Sequence, residues 1–241
     1  MKTLQSSIMI AFCIIGFPLF SFAACEDSPA PRVDWSGCVK KSSDFDKAIL
    51  SEANLATADL QKATLNMALL LSANLAEANL AGANLKNSIL MNANLKGANL
   101  QEANLTQAFL GGASLENANL QGANLEGAFL GSAKLVESDL SEAILFHANL
   151  AMTNLGKANL TGANFGEATL AFADLSGANL EIANFQNADL QEANFSGAKL
   201  YDTFLKGANL EKVNLTNANY NANTTWPDRF SPEDHGAKLV E

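Results

Sequence analysis

Histidine, cysteine and tryptophan are nearly missing from this chain of 241 residues, which has two His, three Cys and two Trp. That scarcity argues against an enzyme domain built on a metal or on a nucleophile and base pair. Charge is also sparse, at 17% of residues with a net of -10, while 48% are apolar, a balance that excludes a disordered polyelectrolyte. All five Pro, all three Cys and both Trp lie outside residues 43 to 222, so the long middle of the chain has none of the usual punctuation. What fills it is Asn, Ala and Leu, in an abundance that requires an underlying regularity.

Residues 1 to 24 stand apart. A single Lys2 precedes an apolar run from Ile8 to Phe22, and small residues follow at Ala23 and Ala24, the order of parts in a secretory signal peptide. The run falls short of the roughly 20 residues a membrane span needs. Cleavage here predicts export, to a periplasm or to the medium, and leaves a chain one unit more negative than the whole.

Cys25 then carries two incompatible readings. Phe22-Ala23-Ala24-Cys25 resembles a bacterial lipobox, in which the Cys would be lipidated and hold the protein to a membrane, although Phe22 stands where Leu is usual. The rival is a disulfide between Cys25 and Cys38, the two cysteines left once Cys13 departs with the leader. The even count, and the turn-rich Pro29, Pro31 and Gly37 between them, favour the disulfide.

The regularity is an internal repeat. Every fifth residue from Phe45 to Tyr220 is Leu, Phe or Tyr, 36 units without a slip, and the residue two before each centre is Ala except at Ser43, Ser88, Ser138, Thr153, Thr203 and Val213. Asn or Asp mostly precedes the centre. Five residues advance an α-helix by about 500°, which scatters successive Leu over every face. On a straight strand an odd period sends them to alternate sides. A chain that keeps Ala and Leu together must turn a corner after each unit, and four corners close a coil of 20 residues, stacked at about 4.8 Å. Nine coils make a rod of roughly 43 Å.

An independent check on the coil length lies in the slot before the centre. There Ile49, Leu69, Ile89, Phe109 and Phe129 recur at intervals of 20, and Leu71 and Met91 sit beside them. A 20-residue coil stacks all five on one side.

Units such as Ala73-Asn74-Leu75-Ala76-Glu77 and Ala98-Asn99-Leu100-Gln101-Glu102 resemble the pentapeptide repeat family, and the resemblance covers residues 43 to 222. It implies an all-β fold, a right-handed quadrilateral β-helix of about nine coils, with the centre and the residue two before it inside. The segments around Trp35 and Trp226 are similar to end segments of exported members. The expected organisation is a signal peptide at 1 to 24, an N-terminal cap at 25 to 42, the β-helix at 43 to 222 and a C-terminal cap and tail at 223 to 241. An open solenoid end exposes Leu and unpaired backbone. Trp35 with the disulfide is expected to cover the first coil, and Tyr220, Trp226 and Phe230 the last.

Such an interior leaves no room for chemistry, so the expectation is a non-catalytic protein with no cofactor and no metal. His147 and His235 have no Cys or second His at ligand spacing, and the sequence lacks G-x-S-x-G and phosphate-binding glycine loops. Two functions remain. One is an exported scaffold that docks an unidentified protein partner or a second copy of itself through Ile49, Leu69, Leu71, Ile89, Met91, Phe109 and Phe129. The other is DNA mimicry, known for family members that occupy the DNA site of type II topoisomerases. B-DNA of 43 Å length would carry about 25 charges, more than twice this chain's net, and export separates it from topoisomerases. Acidity also argues against direct nucleic-acid binding.

Overall fold

The computed structural model describes residues 25–240, and the leader read at 1 to 24 lies outside them. The chain winds as a four-sided coil in which each residue before a centre forms a parallel bridge to the residue 20 positions on, from Asp34↔Asn54 to Lys199↔Asn219. Four faces result. Asp34 begins face 1, Val39 face 2, Asp44 face 3 and Ile49 face 4, and each continues in steps of 20.

The corners explain why the period is five. The carbonyl of Leu50 accepts a hydrogen bond from the Ala53 amide at 3.1 Å, and the same bond recurs at Leu55 and Ala58, also 3.1 Å. Between them the second corner residue has φ in the left-handed region, 58° at Glu52 and 57° at Thr57. That leaves three residues for the straight face. The middle one points out, and its two neighbours point in. Leu and Ala of successive units accordingly fill the interior, with Leu55, Ala58, Leu60 and Ala63 all fully buried. Each Leu contributes roughly 2 kcal/mol on burial.

At three of the six positions where the inner small residue is not Ala, its hydroxyl is satisfied within its own corner. The hydroxyls of Ser88 and Ser138 donate to the carbonyls of Leu85 and Leu135 at 2.6 Å, and that of Thr153 to Leu150 at 2.7 Å. Asn in the outward slot serves two neighbours. The Asn74 side chain donates to Asn54 Oδ1 below it at 3.2 Å, and its own Oδ1 accepts the Ala76 amide at 3.3 Å, which fixes the start of the next corner.

The boundary read at residue 43 moves toward the N-terminus. Val33, Trp35 and Cys38 already occupy inward slots, and Asp34 and Val39 already bridge to Asn54 and Asp59. The centres there are Trp35 and Lys40 rather than Leu, so the repeat pattern did not reveal them. Trp35 is fully buried and packs on Phe45 at 4.9 Å. The Lys40 ammonium sits 4.3 Å over the indole and donates to the Cys25 carbonyl. A disulfide joins Cys25 to Cys38, with Cα atoms 5.5 Å apart, and ties the end segment across the first coil.

At the other end the step of 20 breaks, since Phe204 bridges to Thr225. Strand β1 (Asn219–Tyr220) pairs in parallel with β2 (Lys238–Leu239), reached through a single 3-10 turn at Glu233–His235. That turn closes on Gly236, at φ 92°, where a Cβ would lie 3.0 Å from Thr216 Cα, so the position demands glycine. Over the last coil Tyr220 meets Trp226 edge-on at 5.5 Å, and Trp226, Phe230 and His235 stack with centroids 5.5 and 4.5 Å apart.

The Tyr220 hydroxyl donates to Glu233. Burial of the phenol, and then that hydrogen bond, push Tyr220 up to about 12. The folded value lies above the ordinary 10, so the protonated phenol stabilises the cap fully below about pH 10, and that contribution is lost as pH rises toward 12. Thermal melts of the wild type should therefore fall more steeply between pH 10 and 12 than those of Tyr220→Phe. Parallel decline of the two would show that the Tyr220 contact is not what holds the cap.

Candidate functional site

Face 4 differs from the others in the slot that elsewhere holds Asn. Ile49, Leu69, Ile89, Phe109 and Phe129 bridge one to the next in unbroken register, and the rings of Phe109 and Phe129 stack at 5.0 Å with planes 4° apart. Ile49, Phe109 and Phe129 are 51%, 40% and 47% exposed. Leu69 and Ile89 are half-buried between them. Leu71 and Met91, on the corner leading from face 4 to face 1, are exposed as well. All seven side chains singled out from the sequence are thus brought onto one side of the rod.

This arrangement forgoes something. On face 1 the Asn ladder continues through Asn94 to Asn74 at 3.0 Å, and on face 2 through Asn99 to Asn79 at 3.2 Å. In its first five coils face 4 has apolar residues there, so it lacks both the ladder bond and the bond that fixes the following corner. Net contributions of about 1 kcal/mol per hydrogen bond make that a measurable sacrifice.

The surroundings are as unusual as the stripe. Counting coils by their face 4 residue, from level 1 at Ile49, the face carries no charge until Asp189 at level 8. The corner between faces 4 and 1 carries none from Leu71 to Phe172, levels 2 to 7, and it is flattened by Gly111, Gly112 and Gly131. Met152 and Phe172 on that corner, and Met67 on the corner between faces 3 and 4, are also exposed, at 64%, 52% and 48%. Sequence reasoning missed these three because they are exceptions in the left-handed corner slot, which mostly holds Gly, Asn, Glu or Lys. Ile144 and Phe204 on face 3, and Ile182 on another corner, are exposed singly and form no ladder.

Charges elsewhere are stacked at the coil spacing. Arg32 pairs with Glu52 at 2.7 Å, Lys96 with Glu116 at 3.4 Å and Lys212 with Glu192 at 3.1 Å, each 20 residues apart. Such exposed pairs contribute little individually. Hydrogen bonds from the Ser36 hydroxyl and amide hold the Asp34 carboxyl below its usual range, and the Thr64 hydroxyl does the same for Asp44. His147 lies in an outward corner slot with Phe146 beside it, and its nearest carboxylate is Glu167, one coil on, at 3.7 Å. His235 is held in the tail by the Ser231 carbonyl at 2.9 Å. Among the described residues no three His, Cys, Asp or Glu lie together in a way that could hold a metal ion. No helix among them is long and apolar enough to cross a membrane.

Comparison with known proteins agrees with this geometry. The family model for pentapeptide repeats matches in eight copies between residues 41 and 217. HetL from the cyanobacterium Nostoc sp. strain PCC 7120, a pentapeptide repeat protein involved in heterocyst differentiation regulation, is 30% identical over 78% of this chain and 89% of its own, with a TM-score of 0.63. A second protein of Nostoc PCC 7120, alr5209, is 34% identical over 42% of this chain and 84% of its own, with a TM-score of 0.42. QnrB1, a plasmid-mediated fluoroquinolone resistance protein, is 16% identical over 83% and 91%, with a TM-score of 0.42. Comparison with curated proteins finds no match. The four-sided coil with its five-residue period, the family model and the likeness to HetL together place the chain in the pentapeptide repeat family, as a right-handed quadrilateral β-helix.

Proposed function

We propose that this protein is an exported, non-catalytic scaffold that docks another protein surface through face 4. The observation that carries the reading is the ladder from Ile49 to Phe129, because it stands where the fold otherwise gains from Asn. Its five coils span roughly 24 Å at the β spacing, enough for an exposed apolar patch of a few hundred Å², a size that on soluble proteins usually has a use.

Two observations support export. The Cys25–Cys38 disulfide belongs to an oxidising compartment, and its formation occupies the sulfur that lipidation would need. The order of parts in residues 1 to 24 is that of a cleaved leader. The scaffold role is supported by an interior filled by Leu, Ala and Phe side chains, which confines any chemistry to shallow outer faces. DNA mimicry gains no support from the geometry, since Lys134 interrupts face 1 and Lys199 interrupts face 2, so that neither presents a continuous acidic row.

Intact-mass analysis of the native protein tests the export reading. The expected species begins near Ala24, carries no acyl group and gains about two hydrogens on reduction; a diacylglycerol adduct on Cys25 would contradict it. Replacing Leu69, Ile89 and Phe109 together by Asn tests the docking reading. The variant should melt as cooperatively as the wild type and lose the partners that crosslink to face 4 in the native envelope. Retention of every crosslink would show that the stripe docks nothing.

A further inference from the structure

We infer that the surface docked by face 4 is face 4 of a second copy, lying antiparallel about a two-fold axis that crosses the rod at the level of Phe109. The inference rests on the docking reading above and adds the identity of the occupant.

A two-fold contact of this kind presents the same patch on both partners, and it exchanges levels symmetrically about its axis. With the axis at level 4, level 3 meets level 5, level 2 meets level 6 and level 1 meets level 7. The corner between faces 3 and 4 has the charge pattern this exchange requires. Lys86 stands at level 3 and Glu126 at level 5; Lys47 stands at level 1 and Glu167 at level 7. Each cation is thus mirrored by an anion across Phe109, so two antiparallel copies would set Lys86 against Glu126 twice and Lys47 against Glu167 twice. Within one rod Lys86 is stacked between Asn66 and Thr106, and Glu126 between Thr106 and Phe146, so neither meets an opposite charge above or below it. Glu167 has only His147 beside it, at 3.7 Å. Asp46 would meet Gly166, Lys206 at level 9 lies beyond the contact, and on the opposite corner Glu52 at level 1 would stand at the edge against Phe172.

The uncharged corner obeys the same symmetry in size rather than in charge. Leu71 at level 2 would meet Met152 at level 6, and Met91 at level 3 would meet Gly131 at level 5. Gly111 and Gly112 lie at the axis itself and permit close approach. On the face, Ile89 would meet Phe129, and Phe109 its own counterpart. A parallel arrangement is worse, because it would set Lys86 and Glu126 against a corner that carries no charge from Leu71 to Phe172.

Charge is compatible with this contact. The chain has a net charge of -10, and face 4 together with the corner that follows it carries no charge from level 2 to level 7, so two like-charged rods can meet there without setting carboxylate against carboxylate. Seven coils of about 4.8 Å and three to four residues of width give a footprint of roughly 450 Å² per copy. Both copies together bury about 900 Å², below the roughly 1,200 Å² at which stable complexes begin. The dimer should accordingly be reversible and depend on concentration.

Sedimentation equilibrium on four proteins tests this: the wild type, Lys86→Glu, Glu126→Lys, and the variant carrying both. The wild type should dimerise reversibly, and each single variant should associate roughly tenfold more weakly, since two attractive pairs become repulsive. The double variant restores the opposite pairing and should regain wild-type affinity, as should an equimolar mixture of the two single variants. Thermal melts should be unchanged throughout, because both side chains are exposed. A wild type that stays monomeric, or a double variant as weak as the singles, would overturn the inference. If the wild type is monomeric but the triple Asn variant still loses its crosslinks, the docking reading stands and the occupant is a different protein. If the triple variant keeps them, both readings fail.

Discussion

The corner is the constraint on which the rest of this molecule depends. A hydrogen bond donated to each centre carbonyl by the amide three residues on, with the second corner residue held at φ near 57°, leaves three residues of straight chain before the next turn. Three straight residues allow one outward side chain between two inward ones. The interior is therefore restricted to a large residue and a small one in every unit, and the outside to three slots whose identities the core does not dictate. This separation allows function to be written on a face at little cost to the fold.

It also explains the form that writing takes. A residue on the outside has its closest neighbours 20 positions away along the chain, so a vertical row of like residues reads out as a ladder: Asn to Asn on faces 1 and 2, Ile and Phe on face 4, acid to base at several corners. A surface of this kind is flat and stepped at a fixed spacing. Symmetric patterns along it can be matched by another copy of the same pattern, which is the basis of the antiparallel contact inferred for face 4.

Much of this was legible in the sequence because the period of five is strict and exclusive. The inward assignment of Leu125 or Ala123, the coil length and the stacking of Ile49 through Phe129 all followed from counting. The first coil was not legible, since Trp35 and Lys40 stand where Leu is expected and their fit depends on the packing of Trp35 on Phe45 and of the Lys40 ammonium over the indole. Nor were Met67, Met152 and Phe172, whose corner slot has a fixed backbone conformation but no fixed residue type. The significance of Lys86 and Glu126 emerged only when levels could be assigned, because their relation is one of symmetry about Phe109 and not of proximity. Pairing of Cys25 with Cys38 was one of two readings of the sequence, and the coil brings their Cα atoms to 5.5 Å.

The central claim is that a period of five governs the core while a period of 20 governs the faces, and paired deletions separate the two. Removing residues 91 to 95 keeps every Leu and Ala inward but rotates all later coils by one face, placing Ser114 and Lys134 on face 4 where Phe109 and Phe129 stood. Removing residues 91 to 110, four times as many, returns the chain to register and places Phe129 directly after Ile89 on that face. Both variants should unfold in a single cooperative transition, yet in sedimentation and crosslinking the larger deletion should retain association that the smaller one loses. Equal association of the two variants would contradict the account, since it would mean that the alignment of face 4 has no bearing on what this protein binds.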